Sequence, residues 1–146
     1  MQTEIITALQ DMIGQELRPH SASGFGRWLG GKLIAIEYGS LSISYEVQPE
    51  MCNPTNKLHG GVSAAMIDEV MGMLLYCMQL PVLYVTISLN TDYFYGAKQG
   101  ETVIVTAKVC KQGKSIINLE GTITNESGKV LVKASSNYAA TSTQLN

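Results

Sequence analysis

Gly60-Gly61-Val62-Ser63-Ala64-Ala65-Met66-Ile67-Asp68-Glu69-Val70-Met71-Gly72-Met73-Leu74-Leu75-Tyr76-Cys77-Met78-Gln79 is the stretch on which the fold turns. Val62, Met66, Glu69, Met73 and Tyr76 recur at helical spacing, and Ala65, Ile67, Met71, Leu74 and Leu75 cover most of the remaining circumference. The pattern predicts a helix from Gly60 or Gly61 to about Gln79, apolar nearly all round and therefore buried. Whatever buries it must come from the flanking chain. Downstream of Pro81 the hydrophobic period drops to two in residues 82–93, 101–110, 114–124 and 129–140. Gly96 and Gly100, then Gln112-Gly113, then Asn125-Glu126-Ser127-Gly128 separate these segments, spacings that suit antiparallel hairpins and predict a meander. Upstream, Leu41, Ile43, Tyr45 and Val47 alternate with Ser42, Ser44, Glu46 and Gln48, and an apolar run over 33–38 stops at Gly39-Ser40. That reads as strand, turn, strand. A short leading helix is predicted over 3–13, with Thr3 as its cap and Ile5, Ile6, Leu9 and Ile13 on one face, followed by a Gly- and Ser-rich loop over 21–31. The order is helix, two strands, long helix, four strands, with no βαβ alternation, which makes an α+β fold with one helix lying across an antiparallel sheet.

With 146 residues the chain suits a single domain, 1–146, divided into an N-terminal helix and loop (1–31) and a core (32–141). Charged residues make up 15% of it, against about 25% in an ordinary soluble domain, so part of the surface is expected to be hidden in a homo-oligomer. A formal net charge of −2 gives no electrostatic footprint for nucleic acid or for an anionic membrane. Residues 1–13 lack both a basic n-region and a continuous apolar h-region, so no secretory signal is read there. Asp68 and Glu69 interrupt the most apolar stretch, and no membrane span is expected. Cys52, Cys77 and Cys110 are odd in number and widely spaced, which fits reduced thiols and a cytoplasmic location. His20 and His59, with no cysteine pair nearby, do not make a tetrahedral zinc set.

The chemistry-bearing segment runs from Asn53 to Glu69. Glycines at the mouth of a buried helix let unpaired first-turn amides approach a ligand oxygen, so Gly60 and Gly61 form a candidate oxyanion hole. Asp68 follows Gly61 by seven residues, close to two turns, and shares its face among Ala64, Ala65 and Met71. A carboxylate on an otherwise apolar helix must be hydrogen-bonded or used, and Glu69, about 100° round, either serves instead or points outward. Asn53 has two readings, a polar group in the site or an Asx-type loop former. His59 invites assignment as a base, yet it fits better as the residue that holds the glycine turn through a ring hydrogen bond. Gly113-Lys114-Ser115 and Gly24-Phe25-Gly26 begin or end like phosphate and dinucleotide motifs but lack the remaining glycines and the strand-to-helix context.

Leu58-His59-Gly60-Gly61 with an acid nine residues after the histidine, Asn53 six residues before it, and the later runs Val85-Thr86-Ile87-Ser88-Leu89-Asn90 and Ala97-Lys98-Gln99-Gly100-Glu101 form one constellation. In these features, from about Leu33 to Ala140, the chain resembles the hotdog-fold acyl-CoA thioesterases, in particular the phenylacetic-acid-pathway type and its human relative, thioesterase superfamily member 2. The resemblance implies one long buried helix wrapped by about six antiparallel strands, an acyl-CoA substrate held at the seam of a homodimer or homotetramer, and no cofactor or metal. It further implies that the Gly60 N–H polarises the thioester carbonyl with Asn53 beside it, and that Asp68 of the neighbouring subunit acts as general base or nucleophile. Thr86 stands where relatives have a serine that helps hold the attacking water. His59 and Gly61 shape the binding turn, and Lys98, Lys111 and Lys114 are the candidates for CoA phosphates. Two other readings keep the fold: a non-catalytic acyl-CoA binding module, which the retention of Asn53, Gly60, Asp68 and Thr86 together argues against, and a dehydratase or hydratase, for which His59 is poorly placed.

Overall fold

The central helix, α3, spans Gly60–Cys77 and ends where Met78 closes a bond to Leu74 and Gln79 takes a left-handed φ of 49°. The computed structural model describes residues 1–145. Six strands form one antiparallel sheet: β1 (Lys32–Glu37), β2 (Ser40–Glu46), β3 (Val82–Tyr93), β4 (Thr102–Gln112), β5 (Ile116–Asn125) and β6 (Val130–Gln144), in the order β1-β2-β4-β5-β6-β3. One long helix on a six-stranded antiparallel sheet is the hotdog arrangement that the resemblance implies.

Met66, Ile67, Val70, Met71, Leu74 and Leu75 bury one side of α3 against the sheet. Gly121 of β5 makes the close approach possible. A Cβ there would lie 2.7 Å from Ile67 Cγ2 and 2.9 Å from Met71 Cε, so any side chain would push the helix off the strand. Composition alone makes α3 long and apolar enough for a membrane span, but here it is the core helix of the sheet.

Several expectations are corrected. The helix is not covered all round: Gly61, Asp68 and Tyr76 are exposed in the single chain, and Met71 turns into the core instead of flanking Asp68. The last four strands are not one meander. β4, β5 and β6 pair in sequence, whereas β3 lies beyond β6 at the sheet edge. Residues 94–101 are therefore no hairpin; they run along the end of the sheet, with Phe94 N–H bonded to Leu131 O (2.9 Å), Leu58 N–H to Ala97 O (2.8 Å) and Val47 N–H to Glu101 O (2.9 Å). Loop length cannot separate these topologies, since eight residues reach either neighbour. The 21–31 segment is not all loop either. It holds a second helix, α2 (Gly24–Leu29), started by Ser23 Oγ accepting from Gly26 N–H at 2.8 Å.

The leading helix, α1 (Glu4–Gln10), is shorter than 3–13 but capped as expected. Thr3 Oγ1 accepts from Ile6 N–H (3.1 Å) and donates to Cys77 O (2.7 Å). One hydroxyl thus starts α1 and fastens it to the far end of α3.

Candidate active site

Asp68 sits midway along α3, and two hydroxyls converge on it. Thr86 Oγ1 of β3 donates to Asp68 Oδ1 at 3.0 Å, and Tyr138 OH of β6 donates to the same oxygen at 3.2 Å. The pairing of β3 with β6 produces this, since Thr86 and Tyr138 are direct partners in the ladder. Two donors on Oδ1 fix the carboxylate plane and leave Oδ2 as the oxygen free to accept a proton. Sequence reading found Thr86 and missed Tyr138, because nothing local marks a tyrosine seventy residues away as the carboxylate's second donor. The phenol is held well above its ordinary pKa, chiefly by burial and then, against a lowering bond from Thr86, by the Asp68 charge, so it stays a donor.

Glu69, the alternative acid, points elsewhere. It is half-buried beside α2, where a Cβ on Gly26 would come within 2.7 Å of Glu69 Oε1. Desolvation first, and the Asp68 charge second, raise its pKa. Tyr45 is raised too, by burial and then by the Glu69 charge. A carboxyl whose folded pKa lies above its unfolded value favours folding below the ordinary glutamate range and loses that contribution as pH rises through the folded value. Glu69→Gln is therefore expected to raise Tm near neutral pH and to make no difference once glutamate is protonated. Melting curves across pH check this; an unchanged difference at all pH values would contradict it.

At the start of α3, His59 is the N-cap, and its Nδ1 accepts from Gly61 N–H at 2.9 Å. The ring holds the turn, as expected, and it uses the Gly61 amide to do so. Gly60 occupies the first helical position, where no intrahelical acceptor exists for its N–H. Tyr93 packs over it: the phenol donates to Gly60 O at 2.9 Å, and a Cβ on Gly60 would stand 3.3 Å from the Tyr93 ring. Asn53 folds its own loop. Its Oδ1 accepts from Thr55 N–H (2.9 Å), Thr55 Oγ1 (2.7 Å) and Lys57 N–H (3.2 Å), which is the Asx geometry.

The eight-residue step from Gly60 to Asp68 puts the two about 12 Å apart along one helix. One carbonyl cannot touch both within a single chain. The lysines are also dispersed. Lys98 forms a backbone bridge with Lys57 beside the helix start, whereas Lys111 lies near the far end of β4, nine residues and about 30 Å along the strand from its start, with Lys114 in the adjoining turn.

A cleft of about 680 Å³ opens at Asp68. Thr86 and Tyr138 stand beside the acid, and the cleft continues along α3 between Met73 and Tyr76 on one side and Ile5, Leu9 and Met12 of the N-terminal segment on the other. Its size and its largely apolar walls around a few polar groups suit a small-molecule site. Among the described residues no group of three or more His, Cys, Asp or Glu side chains is placed to hold a metal ion.

The family model for the thioesterase superfamily matches residues 55–132, more than half of the chain. Human acyl-coenzyme A thioesterase 13 is 32% identical over 114 residues, which are 77% of this chain and 81% of the relative. Mouse thioesterase superfamily member 2 superposes with a TM-score of 0.78 at 25% identity, over 94% of this chain and 98% of that one. The smu.793 protein of Streptococcus mutans, whose crystal structure holds acetyl CoA, superposes with a TM-score of 0.72 at 20% identity, over 78% and 90%. The matched segment contains the glycine turn, α3 with its acid and the strands carrying Thr86, and on this ground the chain belongs to the thioesterase superfamily.

Proposed function

We propose that the protein hydrolyses acyl-CoA thioesters to the free acid and CoA, as a homodimer in which Asp68 of one subunit faces Gly60 of the other. The observation that carries this reading is the oriented Asp68 carboxylate at the head of an apolar cleft. It is supported by the thioesterase relatives and by the acetyl CoA in a structural neighbour. Asp68 Oδ2 takes a proton from water as the water oxygen bonds to the thioester carbon. The carbonyl oxygen gains charge and accepts from the Gly60 N–H, and collapse of the tetrahedral species breaks the C–S bond. CoA leaves as the thiolate and takes the proton from Asp68. Thr86 and Tyr138 hold the carboxylate through both proton transfers, and His59 and Asn53 hold the turn that presents Gly60.

Two features support a second copy. The first is the 12 Å spacing of Gly60 and Asp68 on one helix. The second is β3 itself, an edge strand of twelve residues with one charge, Asp92, no proline, and exposed Leu83, Val85 and Ile87. Soluble proteins blunt such edges or pair them. Pairing β3 with its copy across a two-fold axis would continue the sheet and bring the two helices together. The widely separated Lys98, Lys111 and Lys114 then become candidates for CoA phosphates from different subunits. The three unpaired cysteines fit a reducing, cytoplasmic setting.

Thiol release from a panel of acyl-CoAs, run beside analytical ultracentrifugation, tests the reading. Turnover by a species of twice the chain mass is expected. Activity residing in a monomer would overturn the shared site, and no thiol release from any acyl-CoA would overturn the hydrolase.

A further inference from the structure

Gly72 has no backbone reason to be glycine. It lies in the middle of α3 without a positive φ, where glycine is the poorest residue for a helix after proline. Nor does packing call for it: a Cβ at Gly72 would meet nothing within 4 Å, in contrast to Gly121 on the sheet beneath. The open space is the cleft. Gly72 follows Asp68 by one helical turn and precedes Tyr76 by another, so the three share one stripe, and all three line the cleft.

Resting on the hydrolase reading above, we infer that Gly72 is a specificity-determining residue: its missing side chain leaves the channel in which the acyl group lies as it leaves Asp68. Beyond Gly72 the channel passes between Met73 and Tyr76 and the Ile5, Leu9 and Met12 wall, and Thr3 fixes that wall to the end of α3. The side chains of this stretch, Met73, Tyr76, Ile5, Leu9 and Met12, carry no charge, and besides Asp68 the cleft lining holds Glu69 and His20. The substrate class is therefore an acyl chain with an apolar stretch next to the thioester. The run from Asp68 to Tyr76 is about 12 Å. Each methylene buried along it should improve kcat/KM by up to about fourfold until the channel is filled.

The test compares the parental protein, Gly72→Ala and Gly72→Leu on acetyl-, hexanoyl- and dodecanoyl-CoA. Binding of the matching S-alkyl-CoA thioethers is measured by calorimetry, so that the result does not depend on turnover. Gly72→Ala is expected to raise Tm by about 2–4 °C, since a helix interior gains from alanine. Gly72→Leu is expected to lose at least about 30-fold in the ratio of dodecanoyl to acetyl kcat/KM, and to lose affinity for the dodecyl thioether far more than for the ethyl one. Equal losses at every chain length, unchanged chain-length profiles, or a change in oligomeric state with Gly72→Leu would each overturn the inference. A parental protein that hydrolyses none of the thioesters but binds the long thioether in a Gly72-dependent way would sink the hydrolase and leave the channel standing.

Discussion

Asp68→Asn is expected to lower acyl-CoA hydrolysis by at least ~10²-fold, the range for loss of a general base, while the protein folds and binds a thioether analogue as before. The asparagine keeps the shape, and its side-chain oxygen can still accept from Thr86 and Tyr138, so the site around it stays assembled. What disappears is the basic oxygen that takes the proton from water. Glu69→Gln is the matched comparison. It removes a charge one residue away, on a side chain that abuts α2 rather than the two hydroxyls, and should cost far less. If Asp68→Asn keeps the parental rate and Glu69→Gln is dead, the other acid does the work; if both are fully active, neither carboxylate takes part.

Gly60→Pro should be as damaging, by a different route. Proline is tolerated at the first helical position, and the preceding residue, His59, already has the extended backbone (φ −63°, ψ 136°) that a following proline requires. The substitution therefore removes one N–H and little else. Loss of an oxyanion donor lowers kcat by about 10²–10³-fold. Gly60→Ala retains the N–H and adds the same Cβ near Tyr93, which must shift by a few tenths of an ångström, so most activity should survive. Mixing the two inactive proteins then tests the shared site. If Gly60 and Asp68 meet across the two-fold axis, a statistical mixture of Asp68→Asn and Gly60→Pro chains recovers about a quarter of parental activity, because each mixed dimer has one intact site. No recovery after verified subunit exchange would place both residues in the same chain.

The sequence carried local information well and long-range pairing poorly. The α3 pattern, the His59 cap on Gly61, the Thr3 cap and the alternation of β2 and β5 are contacts within a few residues, and all could be read. The position of β3 beyond β6 could not, since alternation says which face a strand buries and nothing about its neighbours. Tyr138 was hidden for the same reason: it reaches Asp68 only after that ladder forms. Two errors have other causes. The glycines of 21–31 outweighed a single Ser23 cap, and the all-round apolarity of α3 suggested complete burial, when the chain leaves one face open as a cleft.

The outer position of β3 also sets an order of events during folding. β3 finds its partner within the chain only in β6, the last strand, so that Tyr93 waits for Val132 and Val82 for Gln144. Contacts this distant in sequence are slow to form because a large loop must close before any of them gains. On the ribosome, α3 and β3 are complete while β6, which supplies Tyr138 to Asp68, is still unmade. β3, with Leu83, Val85 and Ile87 exposed, therefore emerges early and is paired late. That interval is when the nascent protein is most exposed to aggregation and most in need of chaperone cover.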